Sequence, residues 1–291
     1  MPILNFGSIN IDHVYRLATL PHPGETIAAA SLETGLGGKG ANQSIAIARA
    51  GGTVRHLGAI GPGGGWTRDL LANAGVDVSA VADLDTPTGH AMIMVDNAAE
   101  NAIVLFKGAN HAIAEAQVCA AMDSAAPGDW FLMQNETNAS AYAAKLAHDA
   151  GLRVAYCAAP FVPEAVREVL PYVELLSVNA LEEAQLRAAL PDLVPRLDRM
   201  TLLVTYGADG AAHISPAGRV EIDAFKVVPV DTTGAGDTFL GYALAGFDAG
   251  LPVATALRRA AAASAIQVTR PGAAAAIPLA AEVDAFLAER F

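Results

Sequence analysis

Hydrophobic residues along the chain form two kinds of segment: short continuous runs, and longer stretches with apolar positions at helical spacing. The short runs predict strands over 3–6, 53–61, 129–134, 152–157, 174–178 and 200–205. From Asp129 onward, strand and helix alternate regularly, which predicts a parallel sheet with helices on both faces. We therefore predict an α/β fold of three layers, α/β/α, built on a doubly wound and mostly parallel sheet.

Four other segments do not fit this alternation and predict a small antiparallel β-sheet. Segments 11–20 and 25–33 flank a Pro-His-Pro-Gly turn, and segments 90–95 and 102–106 flank a polar turn that contains Asn97. Repeats and low-complexity linkers are not evident. The sequence thus predicts a single domain over 1–291, with the small sheet formed by inserted segments at about 11–33 and 88–107.

A segment near the C-terminal end combines glycines with an acidic residue at a predicted helix start. The apolar run 224–230 predicts a strand, and the spacing of apolar residues from Phe239 predicts a helix. Gly234 and Gly236 lie between them, where the first N–H groups of the helix lack intrahelical partners and suit an anion such as phosphate. Asp237 follows in the first helical turn and would repel that anion unless a hydroxyl lay between them. The segment therefore predicts phosphoryl transfer to an alcohol.

Composition and charge restrict the partners. The chain has 291 residues, of which 53% are hydrophobic and 16% charged, enough for one large core. A net charge of −12 argues against nucleic acid and anionic membranes as partners. Cys119 and Cys157 lack metal-type spacing, and the N-terminus lacks a basic signal region, so we expect a cytoplasmic protein.

The glycine-rich segment 35–42 needs a separate test, because Gly35-x-Gly37-x-x-Gly40 formally matches a dinucleotide-binding fingerprint. That fingerprint requires an acidic residue about 20 positions later, at the end of the next strand. Residues 55–65 contain no acid, and Lys39 is followed by glycine, which excludes a Walker A motif. A glycine loop before a helix remains, with a Lys and an Asn available to a ligand.

Three motifs together resemble the ribokinase family of sugar and nucleoside kinases. They are Asp231-Thr-Thr-Gly-Ala-Gly-Asp237, Gly38-Lys-Gly-Ala-Asn42 and Asn10-Ile-Asp12. The resemblance implies that Asp237 is the catalytic base and that Gly234, Ala235 and Gly236 form the anion hole. It also implies a set of sugar ligands: Asn10, Asp12, Gly38, Lys39, Asn42, Glu136 and Asp237. In this family the small sheet is a lid over the sugar and a frequent dimer surface.

The same resemblance, which covers essentially the whole chain, implies the positions of ATP and metal ions. The nucleotide-binding residues would be Asn179, Thr205, Gly207, Gly210 and Gly236. A monovalent cation, K⁺, would be bound by Asp231, Thr233, Gln267, Arg270 and Gly272, with backbone carbonyls as ligands in the 270–272 stretch. Glu182 would act indirectly on Mg²⁺, although an acid at the first turn of a helix is equally compatible with simple capping.

Some positions depart from the family pattern. Ala276 stands where a ribokinase has serine, so we expect one cation ligand to differ; Ala261 replaces a polar residue near the adenine, and Gly61–Gly65 lacks the usual Asp. The resemblance implies an ATP-dependent carbohydrate kinase, D-ribose to ribose 5-phosphate, that acts as a homodimer through the lid sheet. Other kinases of the family, for fructose, 2-keto-3-deoxygluconate or a nucleoside, are alternatives, as is a non-catalytic sugar-binding protein.

Overall fold

Two β-sheets organise the computed structural model, which describes residues 2–98 and 100–290. The strands are β1 (Ile3–Phe6), β2 (Asn10–Arg16), β3 (Ser31–Gly37), β4 (Val54–Ile60), β5 (Asp77–Asp83), β6 (Gly89–Val95), β7 (Asn101–Phe106), β8 (Trp130–Gln134), β9 (Arg153–Cys157), β10 (Leu175–Asn179), β11 (Thr201–Thr205), β12 (Ala211–Ser215) and β13 (Gly218–Ile222). The helices are α1 (Lys39–Arg49), α2 (Gly65–Asn73), α3 (Glu115–Met122), α4 (Ser140–Asp149), α5 (Pro163–Val169), α6 (Ala180–Ala189), α7 (Val194–Leu197), α8 (Ala235–Asp248), α9 (Val253–Gln267) and α10 (Ala280–Ala288).

The large sheet has the strand order β13-β12-β11-β10-β9-β8-β1-β4-β5. All of its pairs from β11 to β5 are parallel, and only the hairpin of β12 and β13 runs antiparallel at one edge. The central strand β1 is fully buried, with Ile3 packed in the core on one face and Leu4 and Phe6 in the core on the other. Apolar residues on both faces of a strand require helices on both faces of the sheet. The predicted three-layer, mostly parallel fold is confirmed.

The small sheet has the order β3-β2-β6-β7 and corresponds to the predicted lid. The pairs β2–β3 and β6–β7 are antiparallel, while the central pair β2–β6 is parallel. The second lid strand begins later than the sequence suggested, at Ser31 and not at Glu25. Glu25 is held in the preceding turn, where its N–H donates to the His22 carbonyl and its side chain accepts from the His22 N–H, both at 3.0 Å, so the ladder cannot begin there.

The strand predicted over 224–230 is wrong. These residues form an extended segment without ladder partners, and Val228 and Val230 are 84% and 66% exposed. Pro229 removes a backbone donor within the run, and the neighbouring edge is already taken by the β12–β13 hairpin. The apolar residues of this segment instead line a cleft beside α8, described below. Within the described residues, no helix has the length and apolarity needed to cross a bilayer.

Candidate active site

The N-terminus of α8 places an acidic side chain next to free backbone donors. Gly234 caps the helix with φ of 77°, a left-handed conformation that glycine adopts without steric cost. Asp237 lies three residues later and is only 7% exposed. The Ala235 N–H donates to the Thr232 carbonyl at 3.2 Å, which closes the turn. The remaining first-turn N–H groups have no intrahelical acceptor, as at any helix start, which suits an anion at this position.

Two amides of α1 fix the carboxylate of Asp237. Asn42 Nδ2 donates to Oδ2 at 3.2 Å, and Gln43 Nε2 donates to Oδ1 at 2.8 Å. The helices α1 and α8 lie close enough for these bonds because Gly241 faces Ala46; a Cβ on Gly241 would lie 2.4 Å from the Ala46 methyl group. A buried carboxylate is costly unless it is hydrogen-bonded, and both oxygens of Asp237 are.

Lys39, the first residue of α1, interacts electrostatically with several acidic groups of the site. Its pKa is raised above the ordinary value, chiefly by the negative charge of Asp237, against an opposing effect of burial. Glu136 and Glu182 contribute further in the same direction. The Lys39 ammonium therefore stays charged and stabilises the carboxylate of Asp237, and the same cation is available to a phosphoryl group that carries negative charge.

Glu136 follows β8 and lies at the start of α1. Its Oε2 accepts hydrogen bonds from the Ser8 hydroxyl at 2.5 Å and from the Lys39 backbone N–H at 3.0 Å. Asp12 on the lid strand β2 lies against Gly37, two residues before Lys39: a Cβ on Gly37 would lie 2.0 Å from Asp12 Oδ2. Burial, with a contribution from the charge of Glu136, raises the pKa of Asp12 from 3.8 to about 6. The structure thus brings the two predicted sugar-binding carboxylates together from the lid and the main sheet.

Asn10 completes this polar cluster from the end of the lid strand nearest the main sheet. It is 5% exposed, and its Oδ1 accepts a hydrogen bond from Asn110 Nδ2 at 2.8 Å. Asn110 in turn pairs with both backbone groups of Ile9. With its oxygen engaged, Asn10 has its amino group available as a donor to a ligand. Gly38 lies beside this strand start and caps α1 with φ of 94°.

A cleft of about 510 Å³ lies on the other side of the α8 N-terminus. Its lining includes four predicted nucleotide-binding residues: Thr205, Gly207, Gly210 and Gly236. The exposed segment before α8 supplies Phe225, Lys226, Val227 and Pro229 to the wall, α9 supplies Ala261 and Ser264, and Val268 follows α9 directly. The volume and the mainly apolar wall suit a purine nucleoside, with its phosphates directed at the helix start.

Asn179 and Glu182 are engaged with each other in a capping box at the start of α6. The Glu182 N–H donates to Asn179 Oδ1 and the Asn179 N–H donates to Glu182 Oε2, both at 2.8 Å. Asn179 is the register partner of Thr205 on the adjacent strand, but it does not line the cleft. The second oxygen of Glu182 lies outside this capping box and would be the one to face a hydrated Mg²⁺, which is commonly held by one carboxylate, waters and substrate phosphates.

The residues predicted for a monovalent cation connect the loop before α8 with the loop after α9. Asp231 accepts from the Thr233 N–H and the Gly272 N–H, both at 2.9 Å. Gln267 Nε2 lies 2.6 Å from the Thr233 carbonyl and 3.4 Å from the Gly272 carbonyl. Carboxylate and carbonyl oxygens are the ligands that a hard cation prefers. Here the Gln267 amino group donates to both carbonyls and its buried Oε1 has no partner among the described residues, so the set fits K⁺ with the Gln267 amide turned to present that oxygen. The Arg270 side chain pairs with Glu282, which leaves only its carbonyl as a ligand.

Several polar residues at the site were not predicted from the sequence. Gln43 and Gln134 belong to the buried surroundings of Asp237, Ser8 binds Glu136, and Asn110 binds Asn10. Ser264 donates to the Ala235 carbonyl at 3.0 Å. Gln43 follows directly after the motif that ends at Asn42, so its position in the first turns of α1 was the available signal. Ser264 lies 29 residues from its partner and the others lie 91 to 128 residues from theirs, beyond what local spacing reveals.

Comparison with known proteins identifies a family for the chain. Residues 3–280 match the model of the pfkB family carbohydrate kinase. A ribokinase of Schizosaccharomyces pombe is 36% identical, over 97% of this chain and 96% of that protein. The structure resembles a Cryptococcus neoformans ribokinase in complex with ADP, with a TM-score of 0.85 and 31% identity over 100% and 99% of the two chains. An Arabidopsis thaliana ribokinase complexed with ribose and ATP has a TM-score of 0.87 and 28% identity over 98% of each chain.

The family match spans almost the whole chain and includes the α8 start, the glycine motif of α1 and the strand ends that carry the polar cluster. The chain therefore belongs to the pfkB family of carbohydrate kinases.

Proposed function

We propose that this protein is a ribokinase, which transfers the γ-phosphoryl group of ATP to the 5-hydroxyl of D-ribose. The observation that carries the proposal is the position of Asp237. This buried carboxylate lies at a helix N-terminus, with the polar cluster of Asp12 and Glu136 on one side and the 510 Å³ cleft on the other. The ribose and ATP present in the Arabidopsis relative support the same pair of ligands.

The polar cluster favours a neutral sugar. Asn10, Asp12, Lys39, Asn42 and Glu136 supply both donors and acceptors, which suits hydroxyls because each hydroxyl donates and accepts. A sugar acid would require a positive charge that is not already balanced. Asp12 and Glu136 repel a carboxylate, and the positive charge of Lys39 already interacts with the negative charge of Asp237. A nucleoside would favour an aromatic stacking surface, and these five residues include none.

In the proposed reaction Asp237 accepts the proton of the acceptor hydroxyl as the oxygen bonds to the γ-phosphorus. The bond between that phosphorus and the ADP oxygen breaks, and ADP leaves. Because the transition state of phosphoryl transfer is loose, a weak base is sufficient. The backbone N–H groups at Gly234 and Gly236 stabilise the developing negative charge, together with Lys39, and the Ala235 N–H would join them on leaving the Thr232 carbonyl.

Two metal ions fit the residues present. Mg²⁺, held through the nucleotide phosphates with Glu182 nearby, would reduce the phosphate charge. K⁺, bound by Asp231 and the carbonyls of Thr233 and Gly272, would order the loop that precedes α8. The residues themselves position the loop through the Asp231 hydrogen bonds, and neither ion takes part in the proton transfer.

We also propose a cytoplasmic homodimer that forms through the lid sheet. Ladder register places Leu32, Met92, Val104 and Phe106 on the lid face opposite Asp12, and each is at least 44% exposed. A continuous apolar face of this kind is typical of a protein interface. A second copy of the chain would cover it with the same side chains.

The substrate proposal is tested by ADP release from the purified protein with D-ribose, 2-deoxy-D-ribose, fructose, 2-keto-3-deoxygluconate and nucleosides. We expect D-ribose to give the highest kcat/KM, 2-deoxyribose a much lower one, and the keto-deoxy acid no turnover. Sites that hydrogen-bond a hydroxyl reject analogues without it by up to about 10⁴-fold. The Asp237→Asn variant, purified in parallel, controls for contaminating kinases.

A higher kcat/KM for fructose, a nucleoside or the sugar acid would overturn the ribose assignment but not the kinase assignment. Binding of a sugar without ADP release from any substrate would indicate a non-catalytic sugar-binding protein.

A further inference from the structure

A chain of buried side-chain amides leads away from Asp237 into the core. Gln43 Nε2 donates to Asp237 Oδ1 at 2.8 Å, and Gln43 Oε1 accepts from Gln134 Nε2 at 2.7 Å. Gln134 Nε2 also donates to Asn5 Oδ1 at 2.9 Å. Gln43, Gln134 and Asn5 are 0% exposed. These amides come from α1, β8 and β1, so the chain connects the carboxylate to the middle of the large sheet.

The chain continues beyond Asn5 to a buried histidine. Asn5 Nδ2 donates to the Ser44 hydroxyl and to the Gly40 carbonyl, both at 2.8 Å. The Ser44 Oγ lies 2.8 Å from His56 Nδ1, and His56 Nε2 lies 3.1 Å from the Gly7 carbonyl. Burial lowers the pKa of His56 to about 4, so the ring is neutral at physiological pH. Since a carbonyl only accepts, the single ring proton lies on Nε2 and Ser44 donates to Nδ1.

The two ends of this chain determine the orientation of every amide in it. The carboxylate of Asp237 and the carbonyl of Gly7 can only accept hydrogen bonds. Asn5 must therefore present its amino group to Ser44 and its oxygen to Gln134, and Gln134 must present its amino group to both Asn5 and Gln43. If the Gln43 amide were rotated, its oxygen would face the carboxylate and its amino group would face the amino group of Gln134. The observed orientation is the one in which each contact pairs a donor with an acceptor.

We propose that Gln43 is a positioning residue for phosphoryl transfer, holding the Asp237 carboxylate toward the acceptor hydroxyl, and that Gln134 fixes the Gln43 amide. The inference rests on the proposed role of Asp237 as base. The amino group of Gln43 is directed at Asp237 and its oxygen is taken by Gln134, so its effect on the reaction passes through the carboxylate. Asn42 also binds Asp237, at the longer distance of 3.2 Å.

The first test is the Gln43→Met variant, which keeps the side-chain length and removes the amide. We expect kcat to fall by about tenfold with KM for ribose and for ATP within about twofold, because only the orientation of the base changes. A variant with unchanged kcat would overturn the inference. An equal rise in both KM values with unchanged kcat would also overturn it, because it would indicate a role in binding.

The second test is a double-mutant cycle with Asp237→Asn. If Gln43 acts through the carboxylate, Gln43→Met should reduce the residual turnover of Asp237→Asn by less than about twofold, against about tenfold in the wild-type background. Equal factors in the two backgrounds would overturn the inference. Failure of the proposed function is distinguishable, since Asp237→Asn would then retain near-normal turnover by itself.

The third test addresses Gln134 with a matched control. Gln117 on α3 also donates both amide hydrogens inside the protein, to the carbonyls of Gly58 and Ala80, far from Asp237 in the hydrogen-bond network. We expect Gln134→Met and Gln117→Met both to lower Tm, but only Gln134→Met to lower kcat, by roughly threefold. Equal kcat for the two variants would show that Gln134 acts only on stability. This test remains decisive if Gln43→Met does not fold.

Discussion

Asp237 has both of its carboxylate oxygens hydrogen-bonded by amides of α1, so its replacement by Asn changes charge and basicity more than shape. We predict that Asp237→Asn retains ribose and ATP binding but lowers kcat by about 10² or more, as for other lost general bases. Calorimetric binding and steady-state kinetics on the same preparation measure the two effects. Asp248→Asn, at the other end of α8, is the matched control and should leave kcat unchanged. Near-normal turnover of Asp237→Asn would remove this residue from the mechanism.

Asp12 carries a cost in stability that varies with pH. Burial, with a contribution from Glu136, raises the pKa of its carboxyl from 3.8 to about 6 in the folded protein. The folded state therefore binds the proton more tightly than the unfolded state. The resulting stabilisation is complete below pH 3.8 and is lost as pH rises through about 6.

We predict that Asp12→Asn, which removes this charge, stabilises the sugar-free protein more at pH 8 than at pH 5, by about 1 kcal/mol. The same variant should lower kcat/KM for ribose, and by more than loss of any other lid side chain. Chemical denaturation at the two pH values measures the first effect. Glu33→Gln, an exposed carboxylate on the same lid, is the control. An identical change in stability at pH 5 and pH 8 would contradict the assignment of the raised pKa to Asp12.

The site residues that the sequence could predict share one property: they follow apolar runs or occupy glycine motifs. Asp12, Glu136 and Asp237 were recognisable in that way, and the structure places all three around the start of α1, against Gly37, the Lys39 N–H and Asn42 respectively. Gln134 ends an apolar run too, but its partners Asn5 and Gln43 are 129 and 91 residues away. Such contacts depend on strand order and helix packing, which a local pattern does not contain.

At the scale of elements, most strands of the large sheet were predictable because each is a short apolar run buried on both faces. The criterion missed β5, β12 and β13, which are only partly buried, and it wrongly predicted a strand for the segment 224–230. Its apolar side chains suit a strand as well as a cleft wall, and Phe225, Val227 and Pro229 line the cleft beside α8. Hydrophobicity alone predicts burial against something apolar. It does not distinguish a neighbouring strand from a bound ligand.

The guanidinium of Arg49 contacts the loop after α9, which also carries proposed K⁺ ligands. Arg49, at the end of α1, donates to the carbonyls of Ala274, Ala275 and Ile277. These carbonyls lie just after Gly272, whose N–H binds Asp231. The guanidinium thus reduces the repulsion among carbonyls in the loop where Ala276 supplies no side-chain oxygen. Arg49 and K⁺ would act on the same loop.

We predict that K⁺ raises kcat without changing KM for ribose, and that Arg49→Met increases the factor of activation. Loss of Arg49 should also destabilise the fold by about 2 kcal/mol, because it removes charge-assisted hydrogen bonds to carbonyls. Initial rates in K⁺, Na⁺ and Tris buffers of equal ionic strength measure activation. Arg68→Met, at a surface ion pair with Asp83, controls for loss of an arginine. Equal rates of the wild-type protein in all three buffers would contradict the cation site.

For the whole molecule, the lid sheet leaves an apolar face exposed that a second copy can cover. We predict that the wild-type protein has twice the mass of one chain in solution, and that Val104→Glu shifts it to the mass of one chain. A buried like-charge pair across a symmetric contact is strongly unfavourable, since both copies carry the substitution. Light scattering coupled to size-exclusion chromatography measures the mass.

Leu70→Glu places the same charge on α2, at a position that is 44% exposed in the main domain, and should leave the dimer intact. A wild-type mass equal to one chain would show that the lid face has another partner or none. Dissociation caused by both variants would place the contact elsewhere.

The amide chain behind Asp237 should also slow the exchange of its side-chain protons with solvent. The side-chain N–H protons of Asn5, Gln43 and Gln134 lie in residues that are 0% exposed, so they meet solvent only when the surrounding core opens. In deuterated water these three NH₂ groups should keep their ¹H–¹⁵N signals for minutes to hours, whereas the exposed Gln185 loses its signals at once. Their hydrogen-exchange rates would then report how often the hydrogen bonds behind Asp237 open, measured independently of turnover.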